Sequence, residues 1–252
     1  MTIKIIDLSV TLKNGAWEPQ KQEITYTNHK ESPKRAAELF GLEPSAFPDQ
    51  MAWATEQVVL STHSGTHVDA PYHYGPESGG KPARTIDQVP LEWCFSDGVV
   101  LDFTHRKAGD LITRENVKEA LKKIKYTIKP RDIVLIRTDT SKHFGEPNYN
   151  QMHPGMSEEA TLWLIDQGVK IMGIDAWGWD RPFNVMAEEY KAGVRGKLWA
   201  AHYAGKKKEY CQIEKLANLD QLPPYGFKVA CFPISIEGAS GGWTRAVAII
   251  EK

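Results

Sequence analysis

Residues 62–73 read Thr62-His63-Ser64-Gly65-Thr66-His67-Val68-Asp69-Ala70-Pro71-Tyr72-His73, and the chain is best understood from this stretch outward. Three of the protein's eight histidines and one aspartate fall within eleven positions. They supply imidazole nitrogens and a carboxylate, the donor set that a catalytic Zn²⁺, Mn²⁺ or Fe²⁺ takes when one position stays open for water. His63, His67, Asp69 and His73 all occupy odd positions, which an extended chain places on one face. Upstream, Val58 and Leu60 alternate with Gln57, Val59 and Ser61, so residues 55–63 read as a strand with His63 at its end. Gly65 permits a sharp turn and Pro71 forbids a long regular helix, so the four side chains are expected to converge from a bend. A polar surface loop that happens to carry histidines is the plainer alternative, and so dense a cluster argues against it.

Outward from this stretch the chain alternates strand and helix signals. Residues 3–10 read as a first strand ended by Lys13-Asn14-Gly15. Residues 98–103, 132–137, 171–174, 228–235 and 244–250 are further apolar runs of strand length. Thr113 and Ser157 are placed to cap helices. The first carries Val117, Ala120, Leu121 and Ile124 as its buried stripe with an Ile112/Val117 staple, and the second carries Ala160, Trp163 and Leu164 with Gly168 as its stop. Residues 16–52 read as irregular, punctuated by Pro19, Pro33, Pro44 and Pro48, with a short helix over 34–40; a segment of that length is expected to be a lid or binding element. The order is neither a clean β-α-β alternation nor an all-β run. The expected fold is α/β, a single domain over residues 1–252 with a mixed sheet closing into a small barrel and flanking helices.

Composition narrows the function classes. In 252 residues, 41% are hydrophobic and 25% charged, and the net charge is −1, so no basic field recruits nucleic acid or an anionic membrane. Lys206-Lys207-Lys208 reads as a solvated helix face. The first residues lack the pattern of a signal peptide, and no run approaches the roughly 20 apolar residues that span a bilayer. Cys94, Cys211 and Cys231 are scattered without a CxxC pair, which argues against a disulfide framework or thiolate zinc site and makes a reduced cytoplasm the expected compartment. Neither GxGxxG nor GxxxxGK[ST] occurs, so the commonest nucleotide folds are excluded.

The run from His63 to His73 matches without a gap the signature HxGTHxDxPxH, and the chain thereby resembles the cyclase-like metal hydrolases, a group that includes bacterial kynurenine formamidase and isatin hydrolase. Ile6-Asp7-Leu8-Ser9, Gly173-Ile174-Asp175 and Arg245-Ala246-Val247 extend the likeness along the chain. The resemblance implies a barrel-like α/β domain assembled as a homodimer, homotetramer or other homo-oligomer. It implies that His63, His67 and Asp69 hold one divalent metal, Zn or Mn, and that Asp69 bridges to a second ion held by His202 and Glu214, giving one or two ions per chain. His202 and Glu214 stand twelve residues apart, as in kynurenine formamidases. On a continuous helix they would lie about 120° apart, so a break is expected between Lys206 and Cys211. Without the family, His202 reads as an interfacial helix histidine and Glu214 as a surface carboxylate. His73 is read as the general acid/base, with a fourth metal ligand as the alternative; an imidazole of ordinary pKa, about 6.5, suits proton transfer near neutrality.

The sequence departs from kynurenine formamidases where they commonly read Gly-Ile-Asp-x-x-Ser-x-Asp, Gly178 standing in place of the serine, and again over Gly238 to Arg245. Trp177 and Trp179 either wall an aromatic pocket or belong to the core. Trp17 and Phe47 either close over the site or pack elsewhere, and His153 either lines it or is exposed. The expected activity is hydrolysis of an amide carbon–nitrogen bond by metal-activated water, acting on a small molecule rather than on nucleic acid or membrane. N-formylkynurenine is the first candidate, which would place the enzyme in tryptophan catabolism, and isatin-like cyclic amides are the second. A lactone hydrolase or polyketide cyclase on the same scaffold, and a metal-binding scaffold without catalysis, are the rivals.

Overall fold

The apolar runs become strands of a nine-stranded mixed sheet in the computed structural model, which describes residues 2–19 and 22–251. Across the sheet the strands run Ile3–Asp7, Val247–Glu251, Tyr225–Ala230, Phe95–Asp102, Ile133–Arg137, Ile171–Ile174, Cys211–Glu214, His67–Asp69 and Gly241–Trp243. Phe95–Asp102, Ile133–Arg137, Ile171–Ile174 and Cys211–Glu214 are parallel neighbours, and the pairs outside them are antiparallel. Ile133–Arg137 and Ile171–Ile174 are buried along nearly their whole length, as parallel strands covered on both faces must be. Alternate side chains go to two cores. Ile133, Leu135, Ile171 and Ile213 pack with Ile6, Val68, Phe227 and Val229 on one face. Val134, Ile136, Met172 and Ile174 pack on the other against Val117, Leu121, Ala160 and Leu164 from the helices Arg114–Lys123 and Glu158–Asp166.

Both helices start as the sequence predicts. Thr113 Oγ1 accepts from the Asn116 amide, Ser157 Oγ accepts from the Ala160 amide, and the staple residues Ile112 and Val117 are buried. Beyond the strand Ile3–Asp7 the chain reaches the far part of the sheet. Ser9 bridges to Leu216, the Ala217 amide donates to the Leu8 carbonyl at 2.8 Å, and the Val10 amide donates to Thr66 Oγ1 at 2.9 Å. The sheet thus curls into a half-barrel, with six α-helices among the described residues, in agreement with the predicted α/β class.

The structure differs from the sequence reading in several places. The strand expected over 55–63 ends at Val59 and pairs with Glu23–Thr27 in a separate hairpin, so His63 lies in a turn. Its alternation marked a hairpin that is exposed along most of its length, not a core strand. Pro71 starts the short helix Pro71–Tyr74, occupying the first turn where its missing N–H is not needed. The strand expected over 228–235 is Tyr225–Ala230, ending before Pro233, which has no N–H to donate to a ladder. By contact the chain divides into two units, residues 1–12 with 62–252, and residues 13–61. The second unit is more ordered than the proline pattern implied. Besides the hairpin it contains the helix Pro33–Phe40 and a small edge-to-face cluster of Phe40, Phe47 and Trp53, with ring centroids 6.1–6.3 Å apart. Among the described residues no helix is long and apolar enough to cross a membrane.

Candidate metal centre

The central strand of the site is His67–Asp69, held between Cys211–Glu214 and Gly241–Trp243. The register sets Glu214 opposite His67 and Gln212 opposite Asp69, and the two-residue period puts all four side chains on one face. Gly65, at φ +58°, turns the chain ahead of this strand and lets His63 fold back over Asp69. Gly241 leaves room for it, since a Cβ there would lie 2.8 Å from His63 Cε1. His73 comes from the helix Pro71–Tyr74 and lies tilted by 32° against His63, with 4.2 Å between ring centroids. His202 sits in the first turn of the helix Ala200–Lys207. That turn is fixed by Asp180, whose carboxylate accepts from the Ala201 and His202 amides at 2.8 and 2.9 Å and from His202 Nδ1 at 2.6 Å. The helix ends at Lys207, Lys208 is extended, and the next strand opens at Cys211. The break therefore lies where the twelve-residue spacing required one, and His202 and Glu214 meet at 3.4 Å.

Asp69 is buried and its two oxygens face different groups. Oδ1 lies 2.7 Å from His63 Nδ1 and 3.2 Å from His67 Nε2. Oδ2 lies 3.0 Å from Gln212 Nε2, 3.8 Å from His202 Nε2 and 3.9 Å from His73 Nε2. Glu214 is divided the same way. Its Oε2 points to His67 Nε2 at 3.8 Å, whereas its Oε1 accepts from Gln212 Nε2 at 2.8 Å and from the Trp179 amide at 3.0 Å. The orientation of His67 follows from its other nitrogen. Nδ1 is 2.8 Å from the Gly65 carbonyl, which can only accept, so Nδ1 carries a hydrogen and Nε2 is the nitrogen turned to the carboxylates. That buried Nε2 has no hydrogen-bond partner and faces two carboxylate oxygens. Two buried carboxylates converging on an imidazole in a dry site require a positive charge among them, which a bound cation would supply. Among the described residues, His67, Asp69 and Glu214 form one set of donor atoms within 4.8 Å of each other, and His63, Asp69 and His73 form another sharing Asp69. Imidazole nitrogens with carboxylates and no thiolate suit a first-row divalent ion, so the residues present fit one.

The electrostatics match this crowding of charge. Burial works to raise the Asp69 carboxyl, but His73, His63 and His67 hold it well below the usual range. Burial lowers His63, yet the Asp69 charge and hydrogen bond outweigh it and leave the imidazole raised. Burial also opposes the charge on His202, and the bonds to Asp180 and Glu214 nevertheless lift it to about 10. His73 goes the other way: burial, with help from His63 and His202 against the pull of Asp69, lowers it to about 4. The sequence expectation of a value near 6.5 assumed solvent that the fold removes from this side chain.

The other residues singled out in the sequence have surroundings of their own. Trp179 is a core side chain whose Nε1 donates to Thr161 Oγ1 at 3.0 Å, although its backbone amide anchors Glu214. Trp177 is half-buried and packs edge-on against Phe183. Trp17 and Phe47 belong to the unit of residues 13–61. His153 is buried, its Nδ1 donating to the Pro154 carbonyl. Sequence reasoning missed Gln212, Asp180, Ser240 and Trp199. Gln212 was detectable as the residue two before Glu214 on a strand, and Asp180 as the closing aspartate of the Gly173-to-Asp180 pattern. Ser240 Oγ lies 2.9 Å from His63 Nε2. Trp199 stacks on His202 at 4.4 Å and stands edge-on to His73 at 5.3 Å. It does so at φ +53°, a backbone conformation uncommon for a bulky residue and typical of functional sites. No local pattern announces such a residue.

Comparison with known proteins places this arrangement. The model of the family described as "Putative cyclase" matches residues 6–181. The isatin hydrolase of Roseibium aggregatum is 28% identical over 210 residues, covering 79% of this chain and 76% of that protein. The kynurenine formamidase of Erythrobacter litoralis is 27% identical over 191 residues, covering 76% and 74%. The crystal structure of an isatin hydrolase bound to the product analogue thioisatinate superposes with a TM-score of 0.79 over 99% of this chain and 93% of that one, at 23% identity.

Proposed function

The chain belongs to the cyclase family and is a hydrolase, and from that premise we propose that it cleaves the carbon–nitrogen bond of an aryl amide with the help of a divalent ion. His63, His67, Asp69 and Glu214 would hold the ion. The observation that carries this reading is the buried, unpartnered Nε2 of His67 aimed at the carboxylates of Asp69 and Glu214. When bound, such an ion polarises a carbonyl and lowers the pKa of water from 15.7 to about 7. His73 is the proton carrier. Its Nε2 is the group of the cluster farthest from Asp69 that still faces it, at 3.9 Å, and the neutral ring takes a proton from the attacking water and returns it to the leaving nitrogen. Trp199, set against both His73 and His202, supplies an aromatic wall for the aryl group.

Cyclic amides of the isatin type are favoured over N-formylkynurenine. At Gly178, where formamidases carry a serine, an added Cβ would lie 3.8 Å from Glu214 Oε1, so this chain lacks a hydroxyl that the site has room for. The test is an assay of the metal-loaded protein on isatin, N-formylkynurenine and an aryl lactone. Ring opening of isatin is expected to give the highest kcat/KM. Faster release of formate would make the enzyme a formamidase, and turnover of the lactone alone would overturn carbon–nitrogen specificity.

A further inference from the structure

The two halves of the carboxylate pair are filled differently, and the difference bears on how many ions the centre holds. Asp69 Oδ2, Glu214 Oε1 and His202 Nε2 form a second triad of atoms of the kind that ligate a metal, with His202 Nε2 3.4 Å from Glu214 and 3.8 Å from Asp69. Ion-to-ligand distances of about 2.0–2.2 Å would seat a second ion among these atoms. The chain puts its own group there. Gln212 Nε2 lies 3.0 Å from Asp69 Oδ2, 2.8 Å from Glu214 Oε1 and 2.7 Å from His202 Nε2. Its two hydrogens are directed at the two carboxylate oxygens, and its Oε1 accepts from the Tyr210 hydroxyl at 2.9 Å. Gln212 is fully buried in the Cys211–Glu214 strand opposite Asp69, so the carboxamide has no solvent-side position to retreat to.

We infer that the Gln212 carboxamide occupies the second-ion position, so that the centre is mononuclear, with its one ion on the His67 side of Asp69 and Glu214. The inference rests on the metal reading above and assigns Gln212 the role of setting stoichiometry. An amide that donates to both carboxylates replaces the positive charge a second ion would bring, and its hydrogens exclude that ion sterically. Removing the amide should therefore increase metal binding, the reverse of what removing a ligand does.

The experiment loads wild-type protein and Gln212→Ala with Mn²⁺, removes free ion by dialysis, and measures ions per chain by elemental analysis beside circular dichroism. One ion per wild-type chain and two per Gln212→Ala chain are expected. Gln212→Glu, nearly the same size, covers the case in which the alanine variant does not fold; it adds a third carboxylate and should also take up two. Two ions in the wild type, or one or fewer in folded variants of a protein that itself binds one, would overturn the inference, the latter marking Gln212 as spectator or ligand. No ion in wild type or variants would defeat the metal reading itself, and the inference with it.

Discussion

The two sides of the Asp69 and Glu214 carboxylates offer an internal comparison. On the His67 side, Nε2 and the facing carboxylate oxygens converge without a hydrogen bond from His67 Nε2, an arrangement that a cation would complete. On the Gln212 side, similar acceptors are satisfied by an amide that the chain provides. Asp180 and the Trp179 amide brace the satisfied half, whereas Ser240 braces His63 on the other. On the reading proposed, one pair of carboxylates faces a metal on one side and the protein on the other, the deciding feature being a single donor two residues before Glu214.

Substitutions should divide along the same line. The largest effect is expected at Asp69, which serves both sides. Asp69→Asn exchanges a charged ligand for a neutral one and should cut bound metal and turnover by more than roughly 100-fold, beyond what outer-shell partners typically contribute. Elemental analysis and an activity assay on the same sample check it, and retained metal with lost turnover would move Asp69 from ligand to catalytic group. Next comes His73→Ala, which should keep its metal while kcat falls roughly 10²–10⁴-fold. His73 is lowered to about 4, so it is neutral and able to accept a proton above that, and its contribution to the rate is lost as pH falls through about 4. That acidic limb should vanish in the variant, and loss of metal in step with activity would make His73 a ligand instead. The smallest effect is expected at Trp199. Removing one aromatic face worth about 0.5–1.5 kcal/mol should raise KM for an aryl amide roughly two- to tenfold with little change in kcat. An equal fall in kcat with KM unchanged would show that Trp199 positions His73 or His202 rather than substrate.

What the sequence disclosed followed from locality. His63, His67, Asp69 and His73 are legible because eleven consecutive positions carry the donors, and the caps Thr113 and Ser157 because their bonds span three residues. The parallel centre of the sheet was less visible. Buried on both faces, Ile133–Arg137 and Ile171–Ile174 lack alternation, and the helix Phe183–Lys191 has one fully buried side chain to mark a stripe. Thr55–Val59 showed the opposite error, alternation without burial. Within the site, Gln212 and Trp199 stayed hidden because their meaning depends on partners far along the chain. Gln212 matters through Asp69, 143 residues away, and Trp199 through the ring of His73.

The central claim is tested most directly by anomalous diffraction from crystals of the wild-type protein grown with Mn²⁺, recorded above and below the manganese absorption edge. A single peak close to His67 Nε2 and the facing oxygens of Asp69 and Glu214 is predicted, with none at the Gln212 carboxamide. A peak lodged among Asp69 Oδ2, Glu214 Oε1 and His202 Nε2, or no peak at either position, would contradict it.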